Sequence, residues 1–169
     1  MLSYRHHFHA GNFADCLKHP LLLQLLDGLA GKDKPYVVLD THAGRGRYEL
    51  ADAPAQKTGE YRDGIARLWA AAQGQLGPEL AAWIAAVRAE NPDGELRHYP
   101  GSPRLVQQRL RARDRLIACE LHPADHPPLK ALFAGDRRVA VHRRDGYEAI
   151  GAFLPPPERR GLLFVDPAY

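Results

Sequence analysis

The chain has 169 residues, 45% of them apolar, which is enough for one hydrophobic core and requires no second one. Its 23 lysines and arginines against 20 acids, with nine histidines besides, give a formal charge of +3 that permits a polyanionic partner without demanding one. Cys16 and Cys119 are read as reduced thiols rather than a disulfide; the polar start argues against a secretory signal and no apolar run reaches bilayer length, so a cytoplasmic setting without membrane contact is expected.

Met1 to His19 is polar and basic with aromatic residues interleaved, and composition leaves it either a solvated arm or a segment held by something other than a core. Its histidines at positions 6, 7 and 9 have no cysteine or carboxylate at familiar ligand spacing, so no metal is expected. A helix is predicted over Asp15 to Leu29, stopping near Gly31, on the apolar run that begins at Leu21. Lys34 to Asp40 reads as a buried parallel strand. The turn after it, Thr41 to Tyr48, contains Gly44-Arg45-Gly46, which suits close backbone approach to a nucleotide but alone fits a tight turn as well.

Ala-rich segments follow, with helices predicted over Tyr61 to Gln73 and Pro78 to Glu90 whose tryptophans, Trp69 and Trp83, read as packing residues. Tyr99 to Pro103 reads as a loop, with Ser102 placed to cap a helix from Arg104 to Arg111. Strands are predicted at Arg115 to Leu121, Val139 to His142 and Gly161 to Val165, with helices at His122 to Ala134 and Tyr147 to Phe153. Alternating strands and helices with acids at strand ends predict an α/β doubly wound parallel sheet that binds its ligand beyond the carboxyl edge.

Glu120 after the second strand suits ribose hydroxyls, and Asp145-Gly146 after the third suits an adenine amine. Asp166-Pro167-Ala168-Tyr169 ends the fourth with a carboxylate, a backbone carbonyl and an aromatic ring. Singly, each acid is more ordinary as a helix cap or loop residue. Together they favour a methyl transfer from S-adenosyl-L-methionine to an exocyclic amine: Asp166 and the Pro167 carbonyl accept both amine hydrogens while Tyr169 stacks on the ring.

Leu2-Ser3-Tyr4-Arg5-His6, Phe8-His9-Ala10-Gly11-Asn12, Asp33-Lys34-Pro35, Leu39-Asp40-Thr41-His42-Ala43-Gly44, Thr58-Gly59-Glu60-Tyr61, Tyr99-Pro100-Gly101-Ser102-Pro103 and Glu120-Leu121-His122-Pro123 resemble the bacterial 23S ribosomal RNA adenine-N6 methyltransferase J family. The resemblance runs along the whole chain. It implies a Rossmann-like class I S-adenosylmethionine-dependent methyltransferase sheet with an inserted helical subdomain: residues 1–50 as arm, helix and first strand and loop, 51–99 as the insertion, and 100–169 as the rest of the core. By matching positions, it implies cofactor contacts at His19, His42, Gly44, Ser102, Glu120, Asp145, Gly146 and Asp166, catalysis at Asp166, Pro167 and Tyr169, and RNA handling at Tyr4, His6 and Lys18. It also implies 23S ribosomal RNA as partner and a monomer at full length. Ala168 stands where the family has a second proline, and the family continues past Tyr169, so the sheet is expected to be cut short after its fourth strand with an unpaired edge. A non-catalytic nucleotide- or RNA-binding module and a DNA adenine methylase or DNA-utilisation protein are the alternatives.

Overall fold

The computed structural model describes residues 6–71 and 73–167. A 3-10 turn, His6–Phe8, leads into helix α1, Phe13–Ala30. The Asn12 side-chain oxygen accepts from the Asp15 amide at 3.1 Å and starts the helix two residues earlier than expected. Leu22, Leu23 and Leu26 carry α1 into the core, whereas Phe13, Leu17, Leu21 and Leu25 form an exposed row at four-residue spacing. Gly31 follows in right-handed geometry, so the stop uses no left-handed glycine.

The chain continues through β1 (Val37–Asp40), β2 (Arg47–Glu49), α2 (Ala53–Thr58), α3 (Ile65–Ala70), α4 (Pro78–Arg88), β3 (His98–Pro100), α5 (Ser102–Arg109), β4 (Arg115–Cys119), α6 (His126–Leu132), β5 (Val139–His142), α7 (Gly146–Phe153) and β6 (Gly161–Phe164). Four strands form a parallel sheet in the order β5-β4-β1-β6, with Leu39 opposite Ile117 on one side and Leu163 on the other. Strand alternation splits the interior. Val38, Leu116 and Ala118 pack with residues of α1, α4, α5 and α6, while Val37, Leu39, Ile117 and Cys119 pack with Ala149 and Phe153 of α7. Helices therefore cover both faces, as expected for a doubly wound sheet. Among the described residues, β5 and β6 are its edge strands. No helix among them is long and apolar enough to cross a membrane.

The sequence did not reveal the antiparallel ribbon of β2 with β3, which pairs Tyr48 with Tyr99 where a turn and a loop are predicted. Three-residue strands some fifty residues apart carry no local alternation; cross-strand tyrosine packing and the core beneath them fix the pairing. The expected helices of residues 61–73 and 78–90 shrink to α3 and α4. Trp83 is fully buried and meets the Tyr99 ring edge-on at 6.5 Å, while Trp69 lies under the Arg88 guanidinium at 4.4 Å.

Asn91 ties α4 to this ribbon. Its amide nitrogen donates to the Val87 and His98 carbonyls at 2.9 and 2.8 Å, and its oxygen accepts from the Arg97 and His98 amides at 2.9 and 2.8 Å. Asn91→Ala strips partners from buried backbone and is expected to lower unfolding free energy by about 1–3 kcal/mol. A urea titration would register this as a reduced midpoint at constant slope, and an unchanged midpoint would contradict it.

Candidate active site

The site begins where β1 ends. Asp40 is fully buried; its Oδ1 accepts from the His42 amide at 3.3 Å and its Oδ2 from the Ser102 hydroxyl at 2.7 Å. Ser102 therefore does not cap α5 as expected. The cap position is Gly101 in extended backbone, and Ser102 is the first helical residue, its hydroxyl committed to the buried acid. A carboxylate out of water is the stronger acceptor and decides where that hydroxyl points.

Burial pushes the Asp40 carboxyl up to about 7, against the pull of those two donors. The native state thus holds a proton that the unfolded chain releases at the ordinary aspartate value. Stability contributed by the protonated form is complete below the unfolded value and is lost as pH rises through the folded one. Wild type should accordingly lose stability relative to Asp40→Asn between about pH 4 and about pH 7, with the difference flat above that window. Denaturant titrations across this range that give a pH-independent difference would refute the assignment.

The glycine loop is stitched to β4. The Ala43 amide donates to the Cys119 carbonyl at 2.9 Å, and the Gly44 amide donates to Glu120 Oε2 at 2.8 Å. Gly44 has φ +60, and a Cβ there would lie 2.2 Å from the Tyr48 hydroxyl, so the turn requires glycine at this point. Glu120 Oε1 accepts from the His122 amide at 2.6 Å. Burial raises the Glu120 carboxyl, and the two backbone donors only partly offset it.

Beyond β5, Asp145 Oδ1 accepts from the Tyr147 and Glu148 amides at 2.9 and 3.1 Å and caps α7. This is the ordinary role weighed for it in sequence. Its other oxygen accepts from no described group and remains available at the cleft. Gly146 lies so close to β1 that a Cβ would meet the Thr41 carbonyl oxygen at 2.4 Å. Tyr147 meets the His42 ring edge-on at 5.4 Å.

At the last strand, the amide and hydroxyl of Thr41 each donate to the Phe164 carbonyl at 3.1 Å, which fixes the tip of β6 two residues before Asp166. The N-terminal segment closes on this point. The Lys18 ammonium donates to Asp166 Oδ2, and Asp15, fully buried, accepts from His6 Nε2 at 3.0 Å and from the Gly11 amide at 2.8 Å. Burial would lower His6, but the Asp15 carboxylate beside it holds the imidazole above its ordinary value. Burial lowers His19 to about 4 despite the same carboxylate, and its Nδ1 pairs with the Tyr99 hydroxyl at 2.6 Å. The three neighbouring histidines of the first turn take separate partners: His6 takes Asp15, His7 the Glu49 carbonyl and Arg45, and His9 takes Glu60.

These tips surround one cleft of about 310 Å³. Across the sheet, the acids follow strand order: Asp145 beyond β5, Glu120 after β4, the His42–Gly44 loop after β1, and Asp166 with Pro167 after β6. His19 and His6 enter from the N-terminal side, and Ser102 and Gly146 complete the expected set on the wall. Lys18 reaches the site through its bond to Asp166. Tyr4 and Tyr169 lie outside the described residues, as does Ala168.

Sequence reading missed Asp40 as a support, Tyr48 and Tyr147 as wall residues and Asp15 as the acid beneath the N-terminal segment. Asp40 and Tyr147 each adjoin a recognised loop and were findable by position. Tyr48 comes to the cleft, and Asp15 to its place beneath the N-terminal segment, through contacts that sequence does not display.

A family model described as "Ribosomal RNA large subunit methyltransferase D, RlmJ" matches residues 33–169. The protein named Ribosomal RNA large subunit methyltransferase J from Escherichia coli strain K12 is 50% identical over all of this chain, and its namesake from Haemophilus influenzae is 46% identical. The chain spans 60% of the length of each. The crystal structure of protein LPL1258 from Legionella pneumophila superposes with a TM-score of 0.87 at 43% identity, covering 95% of this chain and 58% of that one. The strand order, the acid at each strand tip and the likeness along the whole sequence converge on one assignment: the chain belongs to the RlmJ family of ribosomal RNA large subunit methyltransferases.

Proposed function

We propose that this chain carries the cofactor and target-base sites of an S-adenosylmethionine-dependent methyltransferase that modifies the N6 amine of an adenine in 23S ribosomal RNA, in a cytoplasmic setting. One observation carries the reading: acids and a glycine loop stand in sheet order around a single cleft that ends at Asp166 and Pro167. The cleft's volume of about 310 Å³ lies within the range of small-molecule sites. Its donor set also fits the cofactor. Each Glu120 oxygen already accepts one backbone amide, and a carboxylate has about four lone-pair sites, so two remain for ribose hydroxyls. The uncapped oxygen of Asp145 suits an adenine amine, and the glycines at 44 and 146 let the loop after β1 and the start of α7 pack closely at the cleft wall.

S-adenosylmethionine, when bound, supplies a methyl group activated by a sulfonium centre. The chain's task is alignment and electron supply. Asp166 and the Pro167 carbonyl accept the two amine hydrogens, which localises the lone pair on nitrogen and points it along the line of displacement. Tyr169 stacks on the base, Tyr4, His6 and Lys18 handle the RNA, and neutral His19 adds a wall without adding charge.

The test is methyl transfer from labelled S-adenosylmethionine to unmodified 23S RNA, with adenine-containing DNA in parallel. Label on RNA adenine N6 is expected. Transfer to DNA alone would replace the substrate, and cofactor binding by calorimetry with no transfer to either would favour a non-catalytic binding module.

A further inference from the structure

Asp15 is buried in full, and its two oxygens are treated unequally. Oδ2 accepts from the Gly11 amide and from His6. Among the described residues, no donor meets the buried Oδ1 in good hydrogen-bonding geometry. The nearest described basic groups are the Lys18 ammonium at 3.4 Å and the neutral His19 ring, its Nε2 at 4.0 Å. A buried carboxylate oxygen left without a donor is costly, and such a site calls for a physical reason. Lys18, three residues along the same helix face, already makes a long ion pair with Oδ1, while its short hydrogen bond goes to Asp166.

That arrangement weakens Asp166 for its role. An ammonium on Oδ2 leaves lone pairs free for the substrate amine, but its positive charge draws electron density from the carboxylate that is to localise the amine's lone pair. Asp166 is the stronger acceptor when Lys18 shifts toward Asp15 as the base arrives, and Asp15 Oδ1 stands where the ammonium would go. Moving about 0.6 Å would bring the ammonium to the usual charge-assisted distance from Asp15 Oδ1.

We propose that Asp15 is a positioning residue that receives Lys18 when Asp166 engages the substrate amine, so that the ammonium alternates between Asp166 Oδ2 and Asp15 Oδ1. The proposal rests on the reading of Asp166 as amine acceptor. No proton changes hands in the step: one hydrogen bond to Lys18 breaks and another forms. His6 stays on Asp15 Oδ2 throughout, and the charge of Lys18 remains within the site as Asp166 is freed.

The experiment uses the whole 169-residue chain with ¹⁵N-labelled lysine and needs no ligand. Asp166→Ala removes the competing acceptor altogether. The Lys18 ammonium resonance, assigned by its loss in Lys18→Arg, is expected to stay protected from exchange in Asp166→Ala and to vanish in Asp15→Ala/Asp166→Ala. Solvent-like exchange of Lys18 in Asp166→Ala would overturn the proposal, because it would show that Asp15 does not take the ammonium. If the Asp15 variants fail to fold, the Asp166→Ala spectrum still decides. In turnover, Asp15→Asn should lower kcat about 10- to 100-fold with the KM for S-adenosylmethionine unchanged, the loss of one charge-assisted bond. This effect should disappear in a Lys18→Met background; an equal effect in both backgrounds, as a general packing role predicts, would contradict the handover. Absence of methyl transfer by wild type would count against the functional reading and leave the lysine spectra interpretable.

Discussion

Asp166→Ala is expected to reduce methyl transfer by at least about 10²–10³-fold while leaving RNA affinity close to wild type, because it removes the acceptor proposed to localise the lone pair on the attacking nitrogen. Asp166→Asn should fall less far, since an amide oxygen still accepts one amine hydrogen. The order, wild type above asparagine above alanine, separates hydrogen-bond acceptance from mere occupancy. Single-turnover rates with saturating S-adenosylmethionine measure it, and filter binding of 23S RNA gives the control. Equal turnover by Asp166→Ala and wild type would remove Asp166 from the chemistry.

The alanine variant has a second consequence. Asp166 accepts from Lys18, which also lies 3.4 Å from Asp15, so its removal leaves two cations, Lys18 and the raised His6, around one buried carboxylate. Asp15 sits well below the usual carboxylate range: burial opposes its ionisation, but the neighbouring His6 and His19, the His6 hydrogen bond and Lys18 more than compensate. The N-terminal segment is therefore held by charge as much as by packing. Composition alone, which left this segment either a solvated arm or something held, did not decide between them. His7 and Asp15 are among the buried residues, which rules out the solvated arm for the described part.

The parallel strands were legible because each is a short β-branched or apolar run closed by an acid or glycine, and Val37–Asp40 keeps all four residues buried as such runs require. The site acids were legible for the related reason that in this architecture strand ends converge. Sequence could not show the β2–β3 ribbon, whose partners are remote in the chain, or the fate of Ser102. A serine before Pro103 at a helix start looks like a cap, and only the presence of buried Asp40 beneath it redirects the hydroxyl. Asp15 was equally hidden: as an acid in the first turn of a helix it has a sufficient local explanation, and its service to His6 and Gly11 emerges only when the chain folds back.

Gly146→Ala should weaken cofactor affinity more than tenfold and lower stability by about 1–3 kcal/mol, although alanine is ordinarily the better helix residue. The added Cβ would meet the Thr41 carbonyl oxygen at 2.4 Å and His42 Cε1 at 2.9 Å. Thr41 cannot retreat freely, because its amide and hydroxyl both hold the Phe164 carbonyl and so set the strand tip that carries Asp166. The helix must move instead. Asp145 caps α7, so a displaced helix takes away the acid proposed for the adenine amine and opens the space between Gly146 and the His42 loop. Gly28→Ala is the control: nothing lies within 4 Å of a Cβ there, and its position inside α1 predicts a gain of about 0.5–1 kcal/mol with cofactor affinity unchanged. Calorimetry with S-adenosylhomocysteine and denaturant melts of both variants measure the contrast. Wild-type affinity in Gly146→Ala would mean that the close approach of α7 to β1 does not shape the cofactor site.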